Sequence, residues 1–138
     1  MDVLLKKLDH IAIICSDYAT SKHFYTEVLG FKVIREEFRA ERRSYKLDLA
    51  LEGQYLIELF SFPKPPQRPT NPEACGLRHL AFEVDDLDET IDFLKQHGVP
   101  TEPLRFNSSL GQRSTFVKDP DGLPIELVEF VVNIDLLR

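Results

Sequence analysis

Two histidines and two glutamates occupy matching places in two similar stretches of this sequence. His10 is followed by Ile-Ala-Ile-Ile, and His79, 69 residues later, by Leu-Ala-Phe-Glu. Glu58 lies in an Ile-Glu-Leu triplet that returns around Glu126, 68 residues further on. Imidazole nitrogens and carboxylate oxygens bind divalent transition metals, so the four side chains could hold one ion. Such an ion would act as a Lewis acid.

A single histidine or glutamate in a strand is more often a packed or surface residue than a metal ligand. Four polar residues at repeated positions are harder to explain by packing, because carboxylates rarely lie among apolar strand residues unless paired or metal-bound. We therefore predict one divalent metal site formed by His10, Glu58, His79 and Glu126. Zn²⁺ or Ni²⁺ is the expected ion, and the same ligands also accept Co²⁺, Fe²⁺ and Mn²⁺.

Each half of the chain carries the pattern of a βαβββ module, which predicts an α+β fold. In the first half, strands are expected near 7–15, 32–38, 45–51 and 55–62, with a helix that Asp17 caps and Gly30 ends. In the second half, a capping-box-like run at 86–89 begins the helix and Gly98 ends it. A strand that begins at His79 precedes this helix, and strands near 101–106, 113–117 and 124–131 follow it.

These modules are expected at residues 7–62 and 77–131 of a single domain that spans residues 1–138. Five prolines between them make residues 63–76 an extended linker. Side chains alternate along a strand, so the helix covers one face of each module and leaves the four metal ligands on the other. The same alternation places Tyr55 with Ile57 and Leu59, on the face opposite Glu58. The repeat is then expected to bring the four ligands to a common point.

Composition restricts the functional classes. The formal net charge of −6 argues against a nucleic-acid binder, which needs cations to neutralise phosphates. No apolar run is long enough to cross a membrane, and the first residues lack the features of a signal peptide, so a cytoplasmic protein is expected. A homodimer is the expected assembly, with the site completed within one chain or across two.

Two further motifs resemble those of a known superfamily. The run F-Y-T-E-V-L-G-F at 24–31 resembles the helix-end signature of glyoxalase and bleomycin-resistance proteins, and D-P-D-G-L-P-I-E-L at 119–127 resembles their ending. With the two histidines, the resemblance covers about residues 8–130 and is similar to one bacterial branch. It implies the vicinal-oxygen-chelate fold, in which two tandem βαβββ modules form a cupped eight-stranded mixed sheet around a metal. It also implies the glyoxalase I ligand set at the four positions above.

The chain departs from that family where glutathione is bound. Glutathione-dependent glyoxalases carry an arginine four residues after the first histidine and an asparagine four after the first glutamate, and here those places are Ile14 and Phe62. We therefore expect a substrate without a glutathione arm. For Lys46 and Asp48, a surface ion pair is an equal alternative to a substrate contact. The candidate substrate-binding residues are Lys46, Asp48, Phe60, Phe62, Glu83 and Phe116.

The resulting hypothesis is a glyoxalase I-like lyase or isomerase that acts on a small molecule with two adjacent oxygens. Either Glu58 or Glu126 would act as the base that removes a proton beside a carbonyl group. An Fe(II) oxygenase or an antibiotic-modifying thiol transferase is the first alternative. The second is a non-catalytic small-molecule binding protein, similar to bleomycin-binding relatives that typically lack the metal ligands.

Overall fold

The computed structural model describes residues 3–131, which fall into two compact units, Met1–Gln67 and Arg68–Arg138. Each unit contains one helical segment and a sheet of four strands. The predicted α+β fold of tandem βαβββ modules is confirmed. Within the described residues, the eight strands are hydrogen-bonded as two mixed sheets of four.

The first unit consists of a sheet in the strand order β1-β4-β3-β2 and one helical segment. β1 pairs in parallel with β4, and the other neighbours are antiparallel. Its core is the face that carries Ile13, Leu47, Leu49, Ile57 and Leu59, all of them buried. The elements are β1 (Ile11–Cys15), α1 (Tyr18–His23), a π-helical turn (Phe24–Val28), β2 (Lys32–Arg39), a 3₁₀ turn (Ala40–Arg42), β3 (Ser44–Leu51) and β4 (Gln54–Ser61).

The second unit repeats this arrangement with the strand order β5-β8-β7-β6 and a parallel β5–β8 pair. Leu87 and Leu94 of its helix are buried, as are Val117, Ile125 and Leu127 of the sheet. The elements are β5 (Leu80–Glu83), α2 (Leu87–Gln96), β6 (Arg105–Asn107), β7 (Gln112–Lys118) and β8 (Pro124–Phe130). Within residues 3–131, neither helix has the length and apolar run that crossing a bilayer requires.

Both predicted helix starts are confirmed. The Asp17 carboxylate accepts the Thr20 N–H, and the Asp86 carboxylate accepts the Glu89 N–H, each at 3.0 Å. The first helix is not one α-helix up to Gly30, as predicted, because it widens into a π-helical turn after His23. That turn places Phe24, Tyr25 and Val28 in the core.

Several strand ends differ from the prediction. His10 and His79 precede β1 and β5 by one residue instead of lying inside the strands, and Phe62 lies just beyond β4. The strand expected from Thr101 begins only at Arg105, because Pro103 has no N–H to contribute to the ladder.

A β-bulge in β4 overturns one side-chain assignment. Leu49 of β3 pairs with Ile57, whereas the next residue, Ala50, pairs with Tyr55, so Leu56 is an extra residue in β4. The extra residue breaks the strict alternation from which Tyr55 was placed opposite Glu58. In the structure, the Tyr55 hydroxyl donates a hydrogen bond to the Glu58 carboxylate.

Candidate metal centre

The first unit brings His10 and Glu58 together at the parallel β1–β4 pair. Ala12 is the register partner of Glu58, and His10 lies two residues before it, so both side chains reach the same face. The His10 Nε2 lies 3.3 Å from Glu58 Oε1. The other ring nitrogen, Nδ1, lies 2.7 Å from the Asp9 carboxylate. A carboxylate can only accept, so Nδ1 carries the hydrogen, and a neutral ring then presents the Nε2 lone pair toward Glu58.

Glu58 is held by two further side chains. Its Oε2 accepts the hydrogen bond from Tyr55 and lies 3.3 Å from Lys46 Nζ. Lys46 Nζ also lies 3.0 Å from Asp48 Oδ1, and Asp48 is the register partner of Glu58 on β3. Lys46 and Asp48 do not form the surface ion pair that was the alternative, because their side chains are only 19% and 15% exposed. The result is a largely desolvated network around one carboxylate.

The charges of this network shift its titrations. Burial acts to raise the pKa of Glu58, but the hydrogen bonds from Tyr55 and Lys46 hold that pKa below its usual value. The pKa of Lys46 is raised by its hydrogen bond to Asp48. The hydrogen bond to Asp9 raises the pKa of His10, and the Glu58 charge adds to that effect against a smaller burial penalty. Glu58 is thus an ionised carboxylate fixed in position.

The second unit brings His79 and Glu126 together in the same way. Ala81 is the register partner of Glu126, and His79 lies two residues before Ala81. The His79 Nε2 lies 3.8 Å from Glu126 Oε1, and the two side chains are about one quarter exposed. Phe116 is the register partner of Glu126 on β7, and its ring meets the His79 ring edge-on at 5.2 Å. An apolar ring therefore occupies the place that Asp48 has in the first unit.

The donor set of each pair suits a divalent transition metal. With metal–ligand bonds of about 2.0–2.1 Å, two ligands of one tetrahedral or octahedral ion lie about 3.0–3.4 Å apart. The nitrogen–oxygen distance of the first pair falls in that range, and a small rotation of the Glu126 side chain would bring in the second. Within residues 3–131, no three histidine, cysteine, aspartate or glutamate side chains form a cluster that could hold a metal. Each pair thus supplies half of the predicted ligand set, and the four-ligand site stays a prediction.

The remaining candidate residues are divided between the units. The rings of Phe60 and Phe62 are nearly parallel with centroids 6.0 Å apart, and the Arg42 guanidinium lies 5.2 Å from the Phe62 ring. Glu83 is exposed at the last position of β5, and Ile14 is 56% exposed on β1. A substrate contact for any of these residues stays a prediction.

Sequence reasoning missed two residues of the first pair, Asp9 and Tyr55. Asp9 could have been found, because an acid directly before a ligand histidine is a common partner for its second ring nitrogen. Tyr55 could not, because the bulge at Leu56 places it on the face of Glu58.

Known proteins match this chain over most of its length. Protein YaeR of Escherichia coli is 58% identical over 91% of this chain and 97% of its own. The lactoylglutathione lyase of Salmonella typhimurium is 33% identical over 89% of this chain and 92% of its own. The crystal structure of a glyoxalase family protein from Enterococcus faecalis is 50% identical, with a TM-score of 0.83 over 92% of this chain and all of that one.

The predicted resemblance to a bacterial branch is confirmed by the YaeR match. The model of one protein family matches residues 7–127, which include the two histidines, the two glutamates and both motifs. The chain therefore belongs to the Glyoxalase/Bleomycin resistance protein/Dioxygenase superfamily.

Proposed function

We propose that this protein is a metal-dependent lyase or isomerase that moves a proton on a small molecule with two vicinal oxygens. The observation that carries the proposal is the repeated His–Glu pair, with nitrogen–oxygen distances of 3.3 and 3.8 Å in the two units. His10, Glu58, His79 and Glu126 would bind one divalent ion, with Zn²⁺ or Ni²⁺ favoured by the imidazole and carboxylate donors. Such an ion, when bound, supplies Lewis-acid polarisation of the two substrate oxygens.

The two glutamates are suited to different parts of this chemistry. Tyr55 and Lys46 both hold Glu58, so moving its carboxylate would break two hydrogen bonds. Glu126 is more exposed, and its one ion-pair contact within the described residues is the looser one to His79. A base must approach the substrate proton to within hydrogen-bond reach, which requires a carboxylate that can move. We therefore assign proton removal to Glu126 and a fixed ligand role to Glu58.

The substrate is expected to differ from a glutathione adduct. The lactoylglutathione lyase that matches this chain is named for a glutathione adduct, yet Ile14 and Phe62 stand where such enzymes carry an arginine and an asparagine. An apolar side chain cannot hydrogen-bond the carboxylates or amides of a peptide. α-Hydroxycarbonyl compounds are therefore better candidates than glutathione hemithioacetals.

A homodimer is part of this proposal. β2 is an outer strand of its sheet, and Val33, Ile34 and Phe38 along it are each about half exposed. Apolar side chains on an outer strand favour association with a second chain. Light scattering coupled to size-exclusion chromatography tests this point, and a mass of one chain at micromolar concentration would contradict it.

Metal analysis followed by activity measurements tests the function. Protein reconstituted separately with Zn²⁺, Ni²⁺, Co²⁺, Fe²⁺ and Mn²⁺ is expected to bind one ion per chain and to convert an α-hydroxycarbonyl with proton exchange. Solvent deuterium should appear at the carbon beside the carbonyl. Oxygen uptake by the Fe²⁺ form would instead favour the oxygenase alternative. Failure to bind any of the five ions would favour the binding-protein alternative.

A further inference from the structure

A cavity in the second unit is bordered by three cationic side chains, those of Arg68, Arg78 and Lys118. Its volume is about 200 Å³, which is ample for a carboxylate or phosphate group since one water occupies about 30 Å³. Thr70 and Asn71 add hydrogen-bonding groups to its wall, and Glu73 adds a carboxylate. We call it the cationic cavity.

Arg68 is a fixed residue with an unused donor. Its Nη2 donates to the backbone carbonyls of Leu77 and Arg78, at 2.8 and 3.2 Å, just before the ligand His79. Its Nε is buried and has no hydrogen-bond partner among the residues that the structure describes. Buried N–H groups without an acceptor are rare in native proteins, and a bound oxyanion is one way to satisfy them. The guanidinium is therefore pre-positioned for an anionic oxygen.

The charge balance of the cationic cavity also favours an anion. Three cations face one carboxylate, in a chain whose overall formal charge is −6. Glu73 is paired with Arg78 at 2.6 Å, but both side chains are mostly exposed, and exposed ion pairs are weak. Lys118 forms no ion pair in the part of the chain that the structure describes. An entering oxyanion could thus gain Arg68 and Lys118 and take the place of Glu73 beside Arg78.

The cationic cavity adjoins the second His–Glu pair. A neighbouring cavity of about 180 Å³ is bordered by His79 and Phe116 and shares Glu73, Arg78 and Pro124 with the cationic one. A molecule that reaches His79 can therefore extend past Arg78 into the cationic cavity. Arg105 also borders this neighbouring cavity, where its guanidinium lies 5.2 Å from the Phe116 ring.

We propose that the cationic cavity binds a carboxylate or phosphate group of the substrate through Arg68, Arg78 and Lys118. The substrate would then be an anionic compound with two vicinal oxygens, an assignment that rests on the proposed function. The oxyanion site itself does not, because it is formed by residues outside the predicted metal ligands.

The test is a titration of the full-length protein, without substrate, with inorganic phosphate and separately with malonate. The Nε–Hε signal of Arg68 is followed by NMR spectroscopy and is expected to shift in a saturable way. Whichever anion binds more tightly identifies the phosphate or the carboxylate as the preferred group. Lys118→Met should weaken that binding about tenfold, because a charge-assisted contact is lost. Arg35→Met, which removes an exposed arginine paired with Glu37 in the first unit, is the matched control and should change nothing.

Lys118 is the informative site because its side chain is exposed and its removal leaves the backbone contacts of Arg68 in place. Absence of a saturable shift, or equal affinity in wild type and Lys118→Met, would overturn the oxyanion site. In activity measurements, Lys118→Met should lower kcat/KM for a phosphorylated α-hydroxycarbonyl and not for its neutral counterpart. Oxyanion binding without turnover of either compound would overturn the proposed function alone, whereas turnover without oxyanion binding would overturn this site alone.

Discussion

The two His–Glu pairs occupy equivalent places in their units, but their surroundings differ in chemical character. In the first unit, Glu58 faces Asp48 across the ladder and contacts Lys46 and Tyr55. In the second, the residues 68 positions later are Phe116, Ser114 and Leu123. Repetition has kept the four donor groups and replaced every group that holds the first glutamate. The comparison suggests one fixed ligand and one carboxylate that can move.

Backbone geometry underlies this difference. β4 contains the extra residue Leu56, and the bulge directs Tyr55 toward Glu58. β8 pairs with β7 without any shift of register from Pro124 to Phe130, and the counterpart of Tyr55, Leu123, is buried before the strand begins. The polar network of the second unit lies instead on the helix side, where Glu129 accepts the Leu87 N–H and contacts Arg113.

The largest effect is expected from Glu126→Gln compared with Glu58→Gln. If Glu126 is the base, Glu126→Gln should lower kcat by about 10²–10⁴-fold, the usual contribution of a general base, while the protein keeps its bound metal. Glu58→Gln should mainly weaken metal binding, and its kcat at saturating metal should fall less. Metal content by mass spectrometry and steady-state kinetics measure the two effects. The reverse pattern would assign the base to Glu58.

Tyr55→Phe tests whether the first carboxylate is held by its neighbour. Removing the hydroxyl frees one oxygen of Glu58 and should weaken metal affinity about tenfold, as for other groups that orient metal ligands. Competition with a chromophoric chelator measures that affinity. Tyr18→Phe is the matched control, because the Tyr18 hydroxyl donates to Glu36, away from the pair. Equal affinities in the two variants would show that Tyr55 has no such role.

Glu129→Gln tests the network on the helix side of the second unit. The Glu129 side chain is 12% exposed, and its carboxylate lies 2.6 Å from the Leu87 nitrogen and 3.3 Å from Arg113 Nη1. Loss of its charge should lower the free energy of unfolding by about 1–2 kcal/mol without changing metal affinity. Urea denaturation measures this, with the exposed Glu83→Gln as a control. A matching loss of metal affinity would mean that Glu129 also supports the second pair.

The smallest effect is expected from Asp9→Asn. Asp9 orients the His10 ring through Nδ1, but its side chain is 72% exposed, and solvent weakens the interaction. Metal affinity should fall only a few-fold, less than the effect of ordinary partners of ligand histidines. The chelator competition used for Tyr55→Phe detects this difference. A loss larger than that in Tyr55→Phe would place the main support of the first pair on its histidine.

Much of the fold could be predicted because it depends on local patterns. Asp17 and Asp86 cap their helices through contacts three residues away, and Gly30 takes a left-handed φ of 86° that ends the first helical segment. The faces of β1 and β4 that carry Ile13, Ile57 and Leu59 followed from strand alternation. The π-helical turn at Phe24–Val28 was missed, because hydrophobic spacing does not distinguish it from an α-helix.

The sequence by itself determined the two modules, the family and the equivalence of the two His–Glu pairs, because these are written in repeats and short motifs. Only the tertiary structure decided how each glutamate is held. A one-residue bulge changes which side chains share a face, and a fixed arginine is recognised only once its contacts to the Leu77 and Arg78 carbonyls are seen. Both depend on pairing between distant segments, which alternation along one strand does not encode.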